Sequence, residues 1–323
     1  MKKYLPVISV LSAFFVLIIA SREVIASASD ALILCAQLII PSLFPFFAAS
    51  SLLNRLGLPV MLSGLLENVG RKLFNVSGRG FSAFIVGLCG GYPMGAAYIA
   101  DMEMRGTVST DEAERLLAFC SNSGPAFIIG AIGSGVFASP SAGVLLYIIH
   151  IVSAVLTGMV FRGRGIPDIP DNAGVRFAPP SESFSEIFTD CVKASVIGVL
   201  SVCGFAVIFA VFTGLLASSG ILGALAGFIS RITGLDASYT DALLRGIFEL
   251  GSGIGNMRGL PPDAKSLALA AGIMGFGSFS VYFQTQAVLS GTKIKGTLYL
   301  PGRLVCAGSS VILSLILGNI VFP

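Results

Sequence analysis

The chain has no tryptophan, one histidine (His150) and charged residues at only 11% of its 323 positions. Soluble domains carry about a quarter charged residues, so this scarcity excludes a water-clothed globule. A lone imidazole cannot assemble a histidine metal site, and the six cysteines (Cys35, Cys89, Cys120, Cys191, Cys203, Cys306) form no Cys-x-x-Cys pair. They fall in or beside apolar stretches and read as small buried hydrophobes, neither a disulfide framework nor a zinc site. Twenty Lys+Arg against seventeen Asp+Glu leaves +3, and no basic run interleaves with aromatics. Nucleic acid is thereby excluded as a partner. Also missing are Gly-x-Ser-x-Gly, His-Glu-x-x-His, the phosphate-binding Gly-x-x-x-x-Gly-Lys-[Ser/Thr] and a converging pair of carboxylates. Neither enzyme chemistry, nor nucleotide-driven transport by this chain alone, nor a cofactor is expected.

What is present is 54% hydrophobic residues and 39 glycines, with mean hydropathy +0.90. A spanning helix needs about 20 mainly apolar residues. Residues 4–20, 31–53, 113–137, 142–161, 192–216, 264–289 and 298–321 meet that requirement, giving about seven crossings. Two further apolar stretches, 81–100 and 242–257, are interrupted by glycine or proline near their middle and predict re-entrant hairpins. Segments 58–76 and 221–235 are amphipathic and suit the membrane interface. The expected fold is an all-α polytopic membrane protein whose solvent is the lipid bilayer.

With the N-terminus inside, fifteen basic residues fall on the cytoplasmic side, among them Arg55, Arg105, Lys293 and Arg303. Only Arg22, Arg231, Arg245, Arg258 and Lys265 fall outside. This satisfies the positive-inside rule and predicts a multi-pass cell-membrane protein, N-terminus cytoplasmic and C-terminus outside. Lys2-Lys3, the first apolar run and Ala26-Ser27-Ala28 fit an uncleaved first helix, and also fit a cleavable signal.

Residues 163–185, rich in Pro, Asp and Ser, read as a cytoplasmic linker between two halves. The expected organisation is 1–30 as first helix and outer loop, 31–161 as first repeat, 162–190 around the linker, and 191–323 as second repeat. Each repeat runs span, amphipathic segment, hairpin, broken span, closing span, and the topology inverts one against the other. The four breaks lie at 88–95, 121–125, 249–256 and 275–280. Non-helical backbone at bilayer depth is tolerated where protein or a water-filled cavity satisfies it, and paired broken segments mark the substrate site of secondary transporters. One break alone is more often a kink, and patterns such as Gly130 to Ser134 or Gly223 to Gly227 serve helix packing. Four in equivalent positions point to a ligand.

The candidate ligand-binding residues follow from those breaks: Gly91, Tyr92, Ser121, Asn122, Ser123, Glu249, Ser252, Asn256, Ser278, Ser280 and Gln284. Glu249 is an acid inside an apolar hairpin, suited to a coupling proton or sodium ion or to a polar ligand group; a pair with Arg245 at i, i+4 is the alternative. Asn122, beside Ser121 and Ser123, offers donor and acceptor to a ligand or caps the following half-helix. Tyr92 offers a stacking face, with packing on the facing hairpin as the stronger reading. Ser278 and Ser280 offer hydroxyls, while Gln284 and Gln286 also suit hydrogen bonds between helices, as does His150. Asp111, Glu112 and Glu114 after Ser109-Thr110 read as the solvated first turn of a capped helix.

Three stretches carry a resemblance: Ile40-Pro41-Ser42-Leu43-Phe44-Pro45-Phe46, Gly90-Gly91-Tyr92-Pro93-Met94-Gly95-Ala96, and the run from Asp111 to Gly130 through Ser121-Asn122-Ser123-Gly124-Pro125. The chain resembles the sporulation members of the nucleoside-recognition, or Gate-domain, membrane proteins. The resemblance extends over most of the chain from about Ala31 and is more specific in the first half. It implies a repeat pattern like that of concentrative nucleoside transporters and of the membrane part of the ferrous-iron transporter, whose GTPase domain has no counterpart here. It further implies a sporulation-stage membrane, a role in forming the spore cortex, and a small polar, nucleoside-like solute. Self-association is compatible with it, as is a different class of function, a scaffold that positions cortex-assembly proteins without transporting.

Overall fold

The computed structural model describes residues 4–163 and 182–322. Most of the expected linker therefore lies outside the described residues. Among the described residues every regular element is helical.

The first helix, α1 (Leu5–Ile19), bends by 92° into α2 (Ser21–Leu34). α2 continues through a π-helical turn, Cys35–Ile39, into α3 (Ile40–Arg55). Proline lacks an N–H and clashes with the preceding turn; Pro41 and Pro45 follow the π turn, whose wider i to i+5 bonds include Ile40 N–H to the Cys35 carbonyl. The three segments, of 14, 5 and 16 residues, match α9 (Phe184–Ser218) at 35 residues. These two long helices pack antiparallel, since Ser27 meets Gly214 while Phe47 meets Gly198. Cys35, Ile39, Phe47, Val199, Val202 and Cys203 form a separate core between them. Ala26-Ser27-Ala28, the candidate cleavage site, lies inside α2.

After α3 the chain turns by 95° into amphipathic α4 (Leu58–Phe74). The first hairpin is α5 (Gly78–Gly90) and α6 (Met94–Met104). The broken span is α7 (Thr110–Cys120), a non-helical stretch, and a π-helix Ala126–Val136; α8 (Pro140–Val160) closes the half. The second half repeats the order: α9, amphipathic α10 (Ile221–Thr233), hairpin α11 (Ala237–Phe248) and α12 (Leu250–Gly255), broken span α13 (Ala264–Phe276) and α14 (Ser278–Leu289), and α15 (Tyr299–Val321).

Among the described residues four helical stretches are long and apolar enough to cross a membrane by themselves, and two bent pairs raise this to six. The seven expected spans are thus not seven straight helices. Residues 113–137 are divided by their break, and 4–20 form one arm of the α1–α2 bend. Outward-facing Ile197, Leu200, Ile208, Leu304, Ile312 and Ile320 are each more than half exposed. Such a surface would aggregate in water and is ordinary against lipid tails.

Phe74, Phe81, Phe84 and Phe119 cluster with ring centroids as close as 4.7 Å and tie α4 and the first hairpin to α7. Of the acids expected to be solvated, Asp111 is exposed, whereas Glu112 and Glu114 are clamps. Ser109 caps α7 as foreseen, accepting from Glu112 N–H at 3.1 Å. Glu112, however, is buried and accepts from Ser77 N–H at 2.7 Å and its hydroxyl at 2.9 Å. Glu114 accepts from the N–H groups of Lys295, Gly296 and Thr297. The first turn of α7 therefore fixes both the start of the first hairpin and the loop before α15. The small-residue patterns behave differently from expectation: a Cβ at Gly130, Gly223 or Gly227 meets nothing within 4 Å.

Candidate functional site

Three of the four breaks, and the helix that follows the fourth, line one chamber. Its wall includes Gly91 and Tyr92 from the first hairpin, Ser123 and Gly124 from the first broken span, Glu249 and Gly251 from the second hairpin, and Val281 and Gln284 from α14, after the break in the second broken span. Leu34, Ile39 and Leu43 from the α2–α3 helix, with Val202 and Ala206 from α9, complete it. The volume open to water-sized molecules is about 60 Å³, against a few hundred for a typical small-molecule site. In this conformation the chamber admits a few waters or a small ion.

Glycine lets the hairpin tip approach the break. Gly91 has φ +79° and ψ −178°, a region open to glycine alone, and a Cβ there would lie 3.0 Å from Gly124 N. Tyr92 is buried between halves: its hydroxyl donates to the Met274 carbonyl at 2.9 Å and accepts from Arg303 Nη1 at 3.0 Å. It therefore binds the broken span of the second half, with the hairpin residue Leu250 only part of the same apolar cluster.

Glu249 is buried and caps α12, accepting from the N–H groups of Gly251 (2.9 Å) and Ser252. The alternative pairing fails because Arg245 binds Asp241 at 2.8 Å instead. Among the described residues no ion pair involves Glu249, so backbone N–H groups compensate its charge.

The remaining candidates divide. Ser123 reaches the chamber, and its N–H donates to His150 Nε2 at 3.1 Å; the histidine's interhelical bond thus serves the broken backbone. Asn122 is fully buried but turns back, donating to the Phe119 carbonyl at 2.8 Å. Ser121 presents its carbonyl to Arg303. Ser280 accepts from Gln284 Nε2 at 3.2 Å, and Ser278 accepts from Val281 N–H at 3.3 Å. Ser252 lines a neighbouring cavity, and Asn256 donates to Asp241 at 2.7 Å. The chamber therefore gathers Gly91, Tyr92, Ser123, Glu249 and Gln284, and leaves Ser121, Asn122, Ser252, Asn256, Ser278 and Ser280 outside its wall.

Arg303 was missed. It is fully buried on α15, with Nη2 donating to the Ala118 carbonyl at 2.9 Å and Nη1 to the Ser121 carbonyl and Tyr92 hydroxyl. Among the described residues it has no acidic partner; its guanidinium instead satisfies carbonyls orphaned where α7 stops. Its sequence signal, a basic residue near the start of an apolar span, is that of a loop charge. Arg303 drops out of the cytoplasmic tally without reversing its sign.

Broken helices enclosing a chamber, on a lipid-facing all-helical body, define an integral polytopic membrane protein. No family model matches the sequence, and no solved structure matches it. The chain is 31% identical over 291 residues to the sporulation integral membrane protein YlbJ of Bacillus subtilis (strain 168), covering 83% of this chain and 71% of that protein. It belongs to the YlbJ family of sporulation integral membrane proteins.

Proposed function

We propose that the protein is transporter-like, binding or moving a small polar solute in the central chamber during sporulation. The observation that carries this reading is the convergence of three breaks, and of the helix that follows the fourth, on one chamber. Backbone that leaves helical geometry inside a membrane costs unpaired N–H and C=O groups, and a solute site is one use for three such costs in one place. The solute class is small and polar, with nucleoside-like compounds included. A solute of nucleoside size requires the chamber to widen from its 60 Å³. Glu249 is the group offered to a coupling proton or sodium ion. Spore cortex formation is the process we infer it serves, in a membrane of the sporulating cell.

Thermal-shift screening of detergent-solubilised protein against small polar solutes, nucleosides among them, tests this. A bound solute at 100 times its Kd stabilises the fold by about 2.7 kcal/mol, a readily visible rise in Tm. Glu249→Ala is expected to abolish the rise. Asn122→Ala is expected to keep it from a lower starting Tm, because Asn122 faces the Phe119 carbonyl. Full sporulation by cells carrying both substitutions, together with a screen that yields no ligand, would favour the scaffold instead.

The two halves share one order of elements, and we infer that they sit inverted, with the N-terminus cytoplasmic. Single cysteines replacing Lys265 and Lys293, in a background without the six native cysteines, are expected to label from outside and inside respectively. The reverse pattern would invert the scheme.

A further inference from the structure

Two larger cavities flank the chamber, of about 340 Å³ and 380 Å³. The first carries Asn54, Arg55, Asp101 and Arg105; the second carries Asp30, Arg245 and Arg258. Each shares wall residues with the chamber. Val202 and Gln284 belong to the chamber and the Arg55 cavity, while Leu34, Ala206, Glu249 and Gly251 belong to the chamber and the Arg258 cavity.

The three cavities are strung in order along both long helices. On α9 the Arg55 cavity is lined from Ala194 to Val202, the chamber by Val202 and Ala206, and the Arg258 cavity from Ala206 to Gly214. On the antiparallel partner the order is reversed: Ser27 to Leu34, then Leu34 to Leu43, then Phe47 to Arg55. The stretch of α9 from Ala194 to Gly214, at about 1.5 Å per residue, is about 30 Å long, which is the thickness of the hydrocarbon core. A row of cavities this long between two helices that have their own apolar core is the geometry of a path closed at two points.

Resting on the transporter reading above, we propose that Gln284 and Glu249 are the two gates of that path. Gln284 closes the chamber toward Arg55 and Glu249 closes it toward Arg258. Their anchoring suits the role. Gln284 is held by one 3.2 Å bond to Ser280, while its Oε1 is buried without a partner, so a modest rotation opens a wall. Glu249 is held only by N–H groups at the start of six-residue α12. The α2–α3 helix and α9 form one body and the break-bearing helices the other, and rocking between them would release one gate at a time.

Thiol accessibility tests this without knowing the solute. In the cysteine-free background, Val281→Cys places a thiol in the chamber; Ser201→Cys and Ala210→Cys place reference thiols in the two flanking cavities. A membrane-impermeant thiol reagent is applied to right-side-out and to inside-out vesicles. The reference positions are expected to label from opposite faces, and Val281→Cys slowly from either. Wild-type labelling must pass through open states populated at about 10% or less, so Gln284→Ala raises the rate about tenfold or more from the Ser201 face only. Glu249→Ala does so from the Ala210 face only. If Glu249→Ala loses the reference pattern, Glu249→Asp, which retains a capping carboxylate one methylene shorter, takes its place. Acceleration from the same face in both variants, or none in either while the references label normally, overturns the gates. References that label from one face overturn the path. The expected labelling with no ligand from the solute screen would leave the gated path standing and remove the solute-binding reading.

Discussion

Arg303→Ala is expected to lower the stability of the solubilised protein by about 3–5 kcal/mol, seen as a large fall in Tm and in yield. Two effects oppose one another. Removing the guanidinium relieves a buried charge of its desolvation cost. It also strands the Ala118 and Ser121 carbonyls and the Tyr92 hydroxyl's donor, each worth about 1–3 kcal/mol when buried and unpaired, and it leaves a cavity on α15. The second effect prevails because the carbonyls cannot turn to water: Ser121 and Ala118 are fully buried. Arg303→Met fills the cavity without donors and is expected to recover only the packing part. Arg303→Lys keeps the charge but lacks the planar fork that reaches two carbonyls and a hydroxyl together, so it too should fall short. A methionine variant as stable as the parent would show that the guanidinium supports nothing.

Arg303 also shows where the sequence stops being legible. Spans are readable because length and apolarity are local properties, and breaks are readable because glycine and proline announce them. The elements α4, α8, α10 and α15 accordingly stand within a few residues of expectation. Partners that become available only when another helix ends are not local. The carbonyls that Arg303 binds are free because α7 stops at Cys120, and the N–H groups that Glu114 binds lie in the loop before α15. Within a break there is no helical period to say which side chain faces inward. That is why Ser123 reaches the chamber while its neighbour Asn122 spends its amide on the Phe119 carbonyl; on α14, Gln284 reaches the chamber and donates to Ser280 one turn back. The breaks that meet at the chamber were legible in the sequence; which of their side chains line it was not.

The second large effect concerns a single methyl group. α5 and α6 straddle the end of α7 so closely that a Cβ at Gly87 would lie 1.8 Å, and one at Gly95 2.0 Å, from the Cys120 carbonyl oxygen. The obstacle is backbone, which cannot rotate aside, and moving it would displace the Ser121–Gly124 stretch that the chamber is built on. Gly95→Ala is therefore expected to destabilise by about 3 kcal/mol, at the upper end for overpacking, with loss of any solute-dependent rise in Tm. Gly223→Ala is the matched control. It lies inside α10 with nothing within 4 Å of the added carbon, so only helix propensity remains, and alanine is better there by about 0.8–1.0 kcal/mol. Melting the two variants beside the parent in one detergent should therefore move Tm in opposite directions. Equal shifts would mean that the hairpin does not seat on the end of α7, and that the chamber is assembled by some other contact.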